Sequence, residues 1–575
     1  MNSPSTNRWI TLDADRSVAE TLARDLQLPY PIAKVLVLRG ISDGAEAEGF
    51  LKPRLGDLSD PFRVPGMRHA VRRLWRAVDS EESVTVYGDY DADGLTAAVL
   101  VVSVLKRLGV KADVFIPDRL LEGYGFTEKA LGRCLKSGRP DLIVTVDCGT
   151  SGGKAVETAA GAGVEVVVTD HHECSGQLPA ASAVVNPKLG SDPLLFPLAG
   201  VGVAFKLCHA LLKEGMAAGR KEIGGIDLRD YLELVAIGTV ADVVPLLGEN
   251  RILVRHGLRR INRLPSPGVE ALLETAGLKG PVSCRDLAFM VAPRLNAAGR
   301  MGGTDPALGA LLAADRESAL EFATLLDRTN RQRKKAEDVI LREATEEIET
   351  FFREDGVYGI ALGREKWHPG TIGIVAGRLA DRYRRPAVLA AFDESGYGKA
   401  SCRSVADLDI VEILGECSAL LDSYGGHKAA AGFVIQKNNF EDFKNRFNEL
   451  CAAKLAGRDM APSHEIDAWI TLGEADDVLF SAIRQLRPMG EGNRAPLWGV
   501  REARIAGRPR VVGTNHLKMT VTSGGSALDA IAFRMADRHV PEGPVDILFR
   551  LDENVYRGRR SLQMVVCDFR PAESR

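Results

Sequence analysis

Three aspartates, Asp89, Asp91 and Asp93, crowd into "DYDADG" directly after the apolar run "SVTVYG". Carboxylates so close repel one another unless a cation lies among them. Groups of the same chemistry end later apolar runs. Asp147 ends "LIVTVD", Asp170, His171 and His172 end "VEVVVTDHH", and Asp242 sits in "GTVADVVPL". Taken singly, an Asp after a strand is ordinarily a turn former or a helix N-cap. Several elements delivering Asp and His to one edge make a divalent-metal site the economical reading. Asp91, Asp93, Asp147, Asp242, His171 and His172 exceed the needs of one ion, which points to a pair of ions sharing ligands. Carboxylate and imidazole without thiolate favour Mn²⁺ or Mg²⁺. Zinc stays open because Cys148 and Cys174 lie close by. A metal-held water of lowered pKa is then the nucleophile of a hydrolysis. Asp89 and Asp170 are outlying members, Asp89 as a turn cap and Asp170 as a residue that orients a histidine from behind.

Such convergence needs a scaffold. The runs "SVTVYG", "KADVFIP", "DLIVTVD", "VEVVVTD" and "SAVVNP" alternate with helix-like segments or glycine-rich turns, the pattern of a parallel sheet with helices on its faces. Their continuous apolarity suits strands buried on both sides. Ligands of open α/β sheets collect at the carboxyl ends of the strands, where these Asp and His residues fall. Residues 200 to 350 read as mostly helical and close with the polar segment "LLDRTNRQRKKAEDVILREATEEIETFF", a helix bridging two domains. A second α/β pattern starts at "YGIAL". The final stretch carries short strands at barrel-like spacing, and "HLKMTV" alternates Leu517, Met519 and Val521 with polar residues. The expected organisation is a helical lead-in over 1–75, a catalytic α/β domain with a helical part over 76–312, a bridging helix over 313–355, a second α/β domain over 356–455 and an OB-like β-barrel over 461–575. The fold class is multidomain α/β with a C-terminal barrel.

With 45% hydrophobic and 26% charged residues the composition is that of an ordinary soluble globular protein. A formal charge of −3 argues against a histone-like nucleic-acid binder but leaves room for a local basic channel. Nine cysteines, scattered and without a CxxC pair, imply reduced, mostly buried thiols in a cytoplasmic setting. No stretch approaches the ~18 apolar residues of a membrane helix, so no membrane partner is expected.

The motifs "DYDADG", "DCG", "DHH" and "GTVADVVPL", in this order, resemble those of the DHH phosphoesterase superfamily. "WHPGTIGIVAGRLADRYRRP", "GKASCRS" and "GGHKAAAGF" resemble its partner DHHA1 domain. From about residue 37 onward, through "LRGISDGAEAEGFLKPRLGDLSDPF", "IPDRLLEGYG", "LAGVGVAFKL", "VAPRLNAAGRM" and "MGEGNRAPLW", the chain is similar to the RecJ family of bacterial single-strand-specific exonucleases. The one small departure is Ala400 and Cys402 around Ser401 and Arg403 in "GKASCRS". The resemblance implies a 5′→3′ exonuclease on single-stranded DNA that depends on two divalent ions, Mn²⁺ or Mg²⁺, and releases 5′-mononucleotides. It implies the ligands Asp91, Asp93, Asp147, His171, His172 and Asp242, and a monomer working in repair with a RecQ-type helicase and single-strand-binding protein.

Holding a polyanion also needs donors. Arg119, Ser401, Arg403 and His427 are expected to form a pocket for the 5′-phosphate, and Arg294, Asn296 and Arg300 of "PRLNAAGR" to touch the strand's backbone. "RTNRQRKK" either lines a DNA channel or is the solvated face of its helix. Trp498 is the one candidate for base stacking, with a core role favoured. Competing functions are a small-substrate DHH enzyme (oligoribonuclease or cyclic-dinucleotide phosphodiesterase), a Mn²⁺ pyrophosphatase or polyphosphatase, and a non-catalytic single-strand-binding scaffold. The extra helical part and barrel count against the first. The "GGH" domain counts against the second, and the intact ligand set against the third.

Overall fold

A computed structural model describes residues 7–119, 121–174, 176–351, 356–405, 408–458, 460–556 and 558–572. The first sheet has five strands in the order Lys111–Phe115, Ser83–Gly88, Leu142–Val146, Glu165–Thr169 and Ala183–Val185, each pair parallel. Alternate side chains feed two cores. Val84, Val86 and Val144 pack against the helices Met67–Asp79, Ala92–Arg107 and Gly200–Ala217. Tyr87, Ile143 and Val168 meet the opposite helices Glu128–Ser137 and Gly153–Gly161. Burial on both faces is the physical reason the central strand Leu142–Val146 is buried at every position, whereas the edge strand Lys111–Phe115 exposes Lys111 and Asp113.

Shorter helices follow and lead into Arg316–Phe351, a single helix of 36 residues and about 54 Å at 1.5 Å per residue. Its first half gives Ala319, Ala323 and Leu326 to the catalytic core. Its second half gives Ile340, Ala344 and Ile348 to the core of the next domain. That domain is a five-stranded sheet in which only Ile360–Arg364 and Ala387–Phe392 run parallel. Tyr397–Arg403, Ala430–Gln436 and Ser423–His427 continue it antiparallel.

In the C-terminal domain, Trp498–Val512, His516–Ser523, Ser526–Phe533, Arg559–Pro571 and Val545–Tyr556 pair in turn, and the last returns to the first. The sheet is therefore a closed barrel, and closure removes exposed strand edges. Leu517, Met519 and Val521 point into its core as the alternation predicts. Trp498 is fully buried there, so it packs and does not stack on bases.

The lead-in differs from its expected form. It carries a strand, Arg8–Thr11, which pairs parallel with Ser463–Ile466 next to the barrel. Ile32, Val35, Leu36 and Leu51 share one core with Phe549 and Met564. The chain's two ends thus form one body, and the lead-in joins the catalytic core only from about Leu55 onward, through Leu55, Leu58, Phe62, Val64 and the helix Met67–Asp79. All nine cysteines are free, seven of them buried. Among the described residues, no helix is long and apolar enough to cross a membrane.

Where the chain passes from lead-in to catalytic domain it buries an ion pair. Lys206, fully buried, donates from Nζ to Glu249 Oε1 at 3.0 Å and to the Ser59 carbonyl at 2.8 Å. The Ser59 amide and hydroxyl complete the carboxylate at 2.8 and 2.5 Å. Lys206→Ala should cost about 3–5 kcal/mol by stranding Glu249. The double change Lys206→Met with Glu249→Leu should cost much less. Urea unfolding of the three proteins checks both.

Candidate metal centre

The carboxyl edge of the first sheet gathers the ligand candidates as the strand endings predict. Asp89, Asp91 and Asp147 form one group whose ligand atoms lie within 4.8 Å of one another. Asp147, His171 and His172 form a second, and Asp93, His171 and Asp242 a third. Asp147 and His171 are shared between groups, so the six expected ligands and Asp89 make one continuous cluster.

Local structure explains how each arrives. Asp91 caps the helix Ala92–Arg107, its Oδ1 accepting from the Asp93 and Gly94 amides at 3.0 Å. Asp93, in the first turn of that helix, accepts from the Gly200 and Val201 amides at 2.7 and 2.9 Å, at the N-terminus of Gly200–Ala217. A helix N-terminus favours the negative charge. Asp147 takes φ +61°, and Val243, directly after Asp242, takes φ +60°. Two non-glycine residues in the left-handed region at ligand turns mark strain held by the surrounding fold. Close packing also restricts neighbours. A Cβ on Gly238 would lie 2.6 Å from Asp93 Oδ1, and one on Gly200 would collide with the Asp147 carboxylate.

Asp170 stands behind the cluster. Its Oδ1 accepts from the amides of His171 (2.7 Å) and His172 (3.1 Å) and from His172 Nδ1 (2.7 Å). Its Oδ2 accepts from the Thr150 amide at 2.9 Å. With Nδ1 committed as donor, a neutral His172 presents Nε2 as its acceptor nitrogen. Tyr124 Oη lies 2.8 Å from that nitrogen. Sequence reasoning missed Tyr124, although "EGYG" was in view, because nothing local ties its hydroxyl to a histidine far along the chain.

Electrostatics show what the cluster lacks. Burial, then the charge of Asp91, pushes Asp89 well above the carboxylate range and Asp93 up to about 7. Burial, then Asp93, does the same to Asp147 and lifts Asp242 to about 9. Burial, then the charge of His172, pulls His171 down to about 3, so its ring is neutral. For Asp170 burial pushes up, but His172's hydrogen bond and charge outweigh it and hold the group low. His172 is correspondingly raised, the Asp170 bond overcoming burial. Asp89 Oδ1, Asp147 Oδ1 and His171 Nε2 are buried without a hydrogen-bond partner among the described residues. His171 Nε2 lies 3.1 Å from Asp147 Oδ1 and 3.6 Å from Asp242 Oδ2. Orphaned acceptors that converge without bonding one another fit divalent cations of oxygen and imidazole preference. Cys148 is buried with its thiol pushed up, chiefly by burial, and it belongs to none of the three groups.

The second α/β domain faces this edge with cations. Cross-strand register sets Arg403 opposite Ala430, and Ala430 opposite His427, so Arg403 and exposed His427 share a face two strands apart, with Ser401 beside them. Arg403 Nη1 donates to Ser401 Oγ at 3.2 Å. A Cβ on Gly373, in the first turn of Ile372–Tyr383, would lie 2.8 Å from that Oγ, so a helix N-terminus abuts the pair. Arg119, from the catalytic domain, lies over the Tyr90 ring at 5.1 Å. Burial, then Arg119, brings Arg300 down to about 10, and burial lowers Arg403 with Arg119 contributing. The three guanidiniums therefore crowd one region and call for an anion.

Two residues expected on the DNA backbone do other work. Arg294 is buried and donates to Asp327 at 2.7 Å and to the Met290 carbonyl at 2.5 Å, a tie between helices. Asn296 Oδ1 accepts from the Ala92 amide at 2.7 Å and so holds the "DADG" turn. Within "RTNRQRKK", Arg333 is buried against Glu337 and Asn330 and Arg331 pairs with Asp327, whereas Arg328, Lys334 and Lys335 stay exposed.

Comparison with known proteins agrees with this architecture. Residues 83–239 match the DHH family, N-terminal domain, residues 356–453 the DHHA1 domain, and residues 466–568 the RecJ OB domain. The chain is 35% identical to the single-stranded-DNA-specific exonuclease RecJ of Bacillus subtilis, over 98% of this chain and 70% of that protein. To the Escherichia coli RecJ it is 34% identical over 97% of this chain and 98% of the relative. The chain belongs to the RecJ family. The crystal structure of RecJ in complex with Mn²⁺ from Thermus thermophilus superposes with a TM-score of 0.85 at 31% identity, covering 100% of this chain and 81% of that one. RecJ from the same organism has also been solved with Mg²⁺.

The raised carboxyls make a pH test. In the unfolded chain an aspartate titrates near ~3.9; folded and metal-free, Asp93 and Asp242 hold protons to about 7 and about 9. The folded state then binds more protons, so stability falls as pH rises through that window. The melting temperature in EDTA should drop between about pH 5 and pH 9, and the gain on adding Mn²⁺ should grow over the same range. Asp93→Asn with Asp242→Asn should flatten both trends in thermal-shift assays.

Proposed function

We propose that this chain is a single-strand-specific 5′→3′ exonuclease that hydrolyses phosphodiester bonds of DNA with two divalent cations, Mn²⁺ or Mg²⁺, and releases 5′-mononucleotides. The observation that carries the reading is the opposition of two half-sites. The buried Asp and His cluster faces the region where Arg119, Arg300, Arg403 and Ser401 gather from two domains. Asp89, Asp91, Asp93, Asp147, His171, His172 and Asp242 would hold the cations. Cations bound there supply a water of lowered pKa and neutralise charge developing on the phosphodiester.

The chain's own groups do the rest. Arg403 and Arg119 grip a terminal phosphate, and Ser401 fills its remaining oxygen. His427 closes the pocket from the sheet's exposed edge strand. This pocket sets polarity, since only a strand end places a phosphate there while the next phosphodiester lies at the cluster. Asp170 fixes the His172 tautomer, and Asn296 fixes the turn that carries Asp91 and Asp93. The closed barrel supports a long substrate, because a small-substrate phosphodiesterase has no use for it. By the same family likeness the enzyme works as a cytoplasmic monomer beside a RecQ-type helicase and single-strand-binding protein.

The deciding experiment incubates full-length protein and Mn²⁺ with single-stranded DNA labelled at one end at a time, with and without a 5′-phosphate. Early mononucleotide release from the 5′ end, absent on blunt duplex, is expected. Consumption of dinucleotides alone would replace this reading with a small-substrate enzyme. Asp91→Ala should abolish cleavage while DNA binding persists, measured by fluorescence anisotropy. Arg403→Ala should raise KM for 5′-phosphorylated DNA about tenfold or more, in keeping with one charged hydrogen-bonding group lost, and blunt the preference for a phosphorylated end.

A further inference from the structure

Arg251 is 2% exposed, yet its partners are carbonyls rather than a carboxylate. Nε donates to Phe50 at 2.7 Å. Nη1 donates to Leu486 and Pro488 at 2.9 and 3.2 Å, and Nη2 to Gln485 and Arg487 at 3.2 and 3.1 Å. The Phe50 ring lies 3.8 Å from the guanidinium. Arg255, one turn on, donates to Leu51 and Arg487 at 2.9 and 3.2 Å. The carbonyls sit where the helices Gly44–Leu51 and Asp477–Gln485 end, and helix C-termini attract cations. A planar fork with five donors satisfies this set, whereas an ammonium cannot. One catalytic-domain side chain thus stitches together the lead-in and the loop Gln485 to Asn493 that precedes the barrel.

That loop also reaches the metal centre. The Leu246 amide donates to the Glu491 carbonyl at 2.8 Å. Leu246 is four residues past Asp242, beyond the strained Val243. Asn250, adjacent to Arg251, donates to the Pro245 carbonyl at 3.1 Å and so braces the same turn. A Cβ on Gly490 would lie 2.7 Å from Leu246 Cδ1, and one on Gly492 3.1 Å from Pro245 Cβ. The turn carrying Asp242 is therefore shaped on its far side by the barrel's leading loop.

We propose that Arg251 is a positioning residue which, through the loop Gln485 to Asn493, sets the Asp242 carboxylate in the metal centre, so that a properly docked barrel is a condition for cation binding. The proposal rests on the metal-dependent reading above. Asp242 has no rigid element following it, only a turn, and a ligand displaced by about 1 Å loses on the order of a hundredfold in rate. Docking the barrel removes that freedom.

The test uses full-length protein, Arg251→Lys and Gly490→Val. Arg251→Lys keeps the charge and loses the fork. Gly490→Val leaves the carbonyl cage intact and drives a side chain against buried Leu246. Mn²⁺ affinity is read by electron paramagnetic resonance of free Mn²⁺, and kcat and KM are read on single-stranded DNA. Both variants should bind Mn²⁺ at least about fivefold more weakly and turn over about tenfold more slowly, with KM little changed. Folded variants with wild-type Mn²⁺ affinity and kcat would overturn the proposal, even where Arg251→Lys melts earlier, since a merely structural role moves only the melting temperature. If Arg251→Lys does not fold, Gly490→Val decides alone. Weakened Mn²⁺ binding in variants of a protein that cuts no DNA would sustain the proposal and remove the nuclease reading instead.

Discussion

Mutual repulsion among buried carboxylates governs this molecule. Asp89, Asp93 and Asp147 are all nearly inaccessible, and Asp91 and Asp242 press on them. A fold that only had to be stable would separate such groups, because each pushes its neighbours' ionisation out of range. Here every nearby device holds them together. The N-terminus of Gly200–Ala217 donates two amides to Asp93, and two residues accept left-handed backbone at the ligand turns. Glycines at 200 and 238 make room for the Asp147 and Asp93 carboxylates, which lie where a Cβ would stand. The cost is met by the all-parallel sheet beneath, whose central strands are packed by helices on both faces.

Crowded carboxylates explain one wall of the cleft; the other needs a fixed distance from it. The helix Arg316–Phe351 supplies this by entering the cores of both domains, with apolar residues at each end and an unbroken backbone between. Arg294 fastens it through Asp327 to the helix that carries Asn296 and Arg300. The wall bearing Arg300 and the turn bearing Asp91 are thus parts of one rigid unit. Gly370 of the second α/β domain closes against the Arg300 backbone, where a Cβ would collide with its carbonyl. Packing thus sets where Arg300 lies relative to the Asp91 turn and the second α/β domain.

The same distinction shows what a sequence can disclose. Strand endings, continuous apolar runs and the alternation of Leu517, Met519 and Val521 are local patterns, and each reports its own element directly. Asp and His at those endings therefore predicted their cluster. Arg294 and Asn296 look the same in sequence whether they face DNA or a neighbouring helix, because the partners, Asp327 and the Ala92 amide, lie far along the chain. Tyr124 was passed over for the same reason, its hydroxyl meeting His172 only once the sheet is assembled. The strand Arg8–Thr11 was invisible because its pairing partner, Ser463–Ile466, lies at the opposite end of the chain. Side chains whose role depends on a distant partner are where reading residue by residue runs out.

A formal charge of −3 at first sight suits a polyanion ligand poorly. Charge position resolves this. Much of the negative charge that matters lies inside the cluster, and two divalent cations would cancel most of it, lowering the repulsion that a phosphate meets there. Arg119, Arg300 and Arg403 already press on one another in the facing region, and a phosphate between them relieves that pressure. Each half of the cleft is thus unfavourable by itself and favourable with its own ion. Metal and strand end should then support one another's binding, because the positive charge of the ions and the negative charge of the phosphate attract across the cleft.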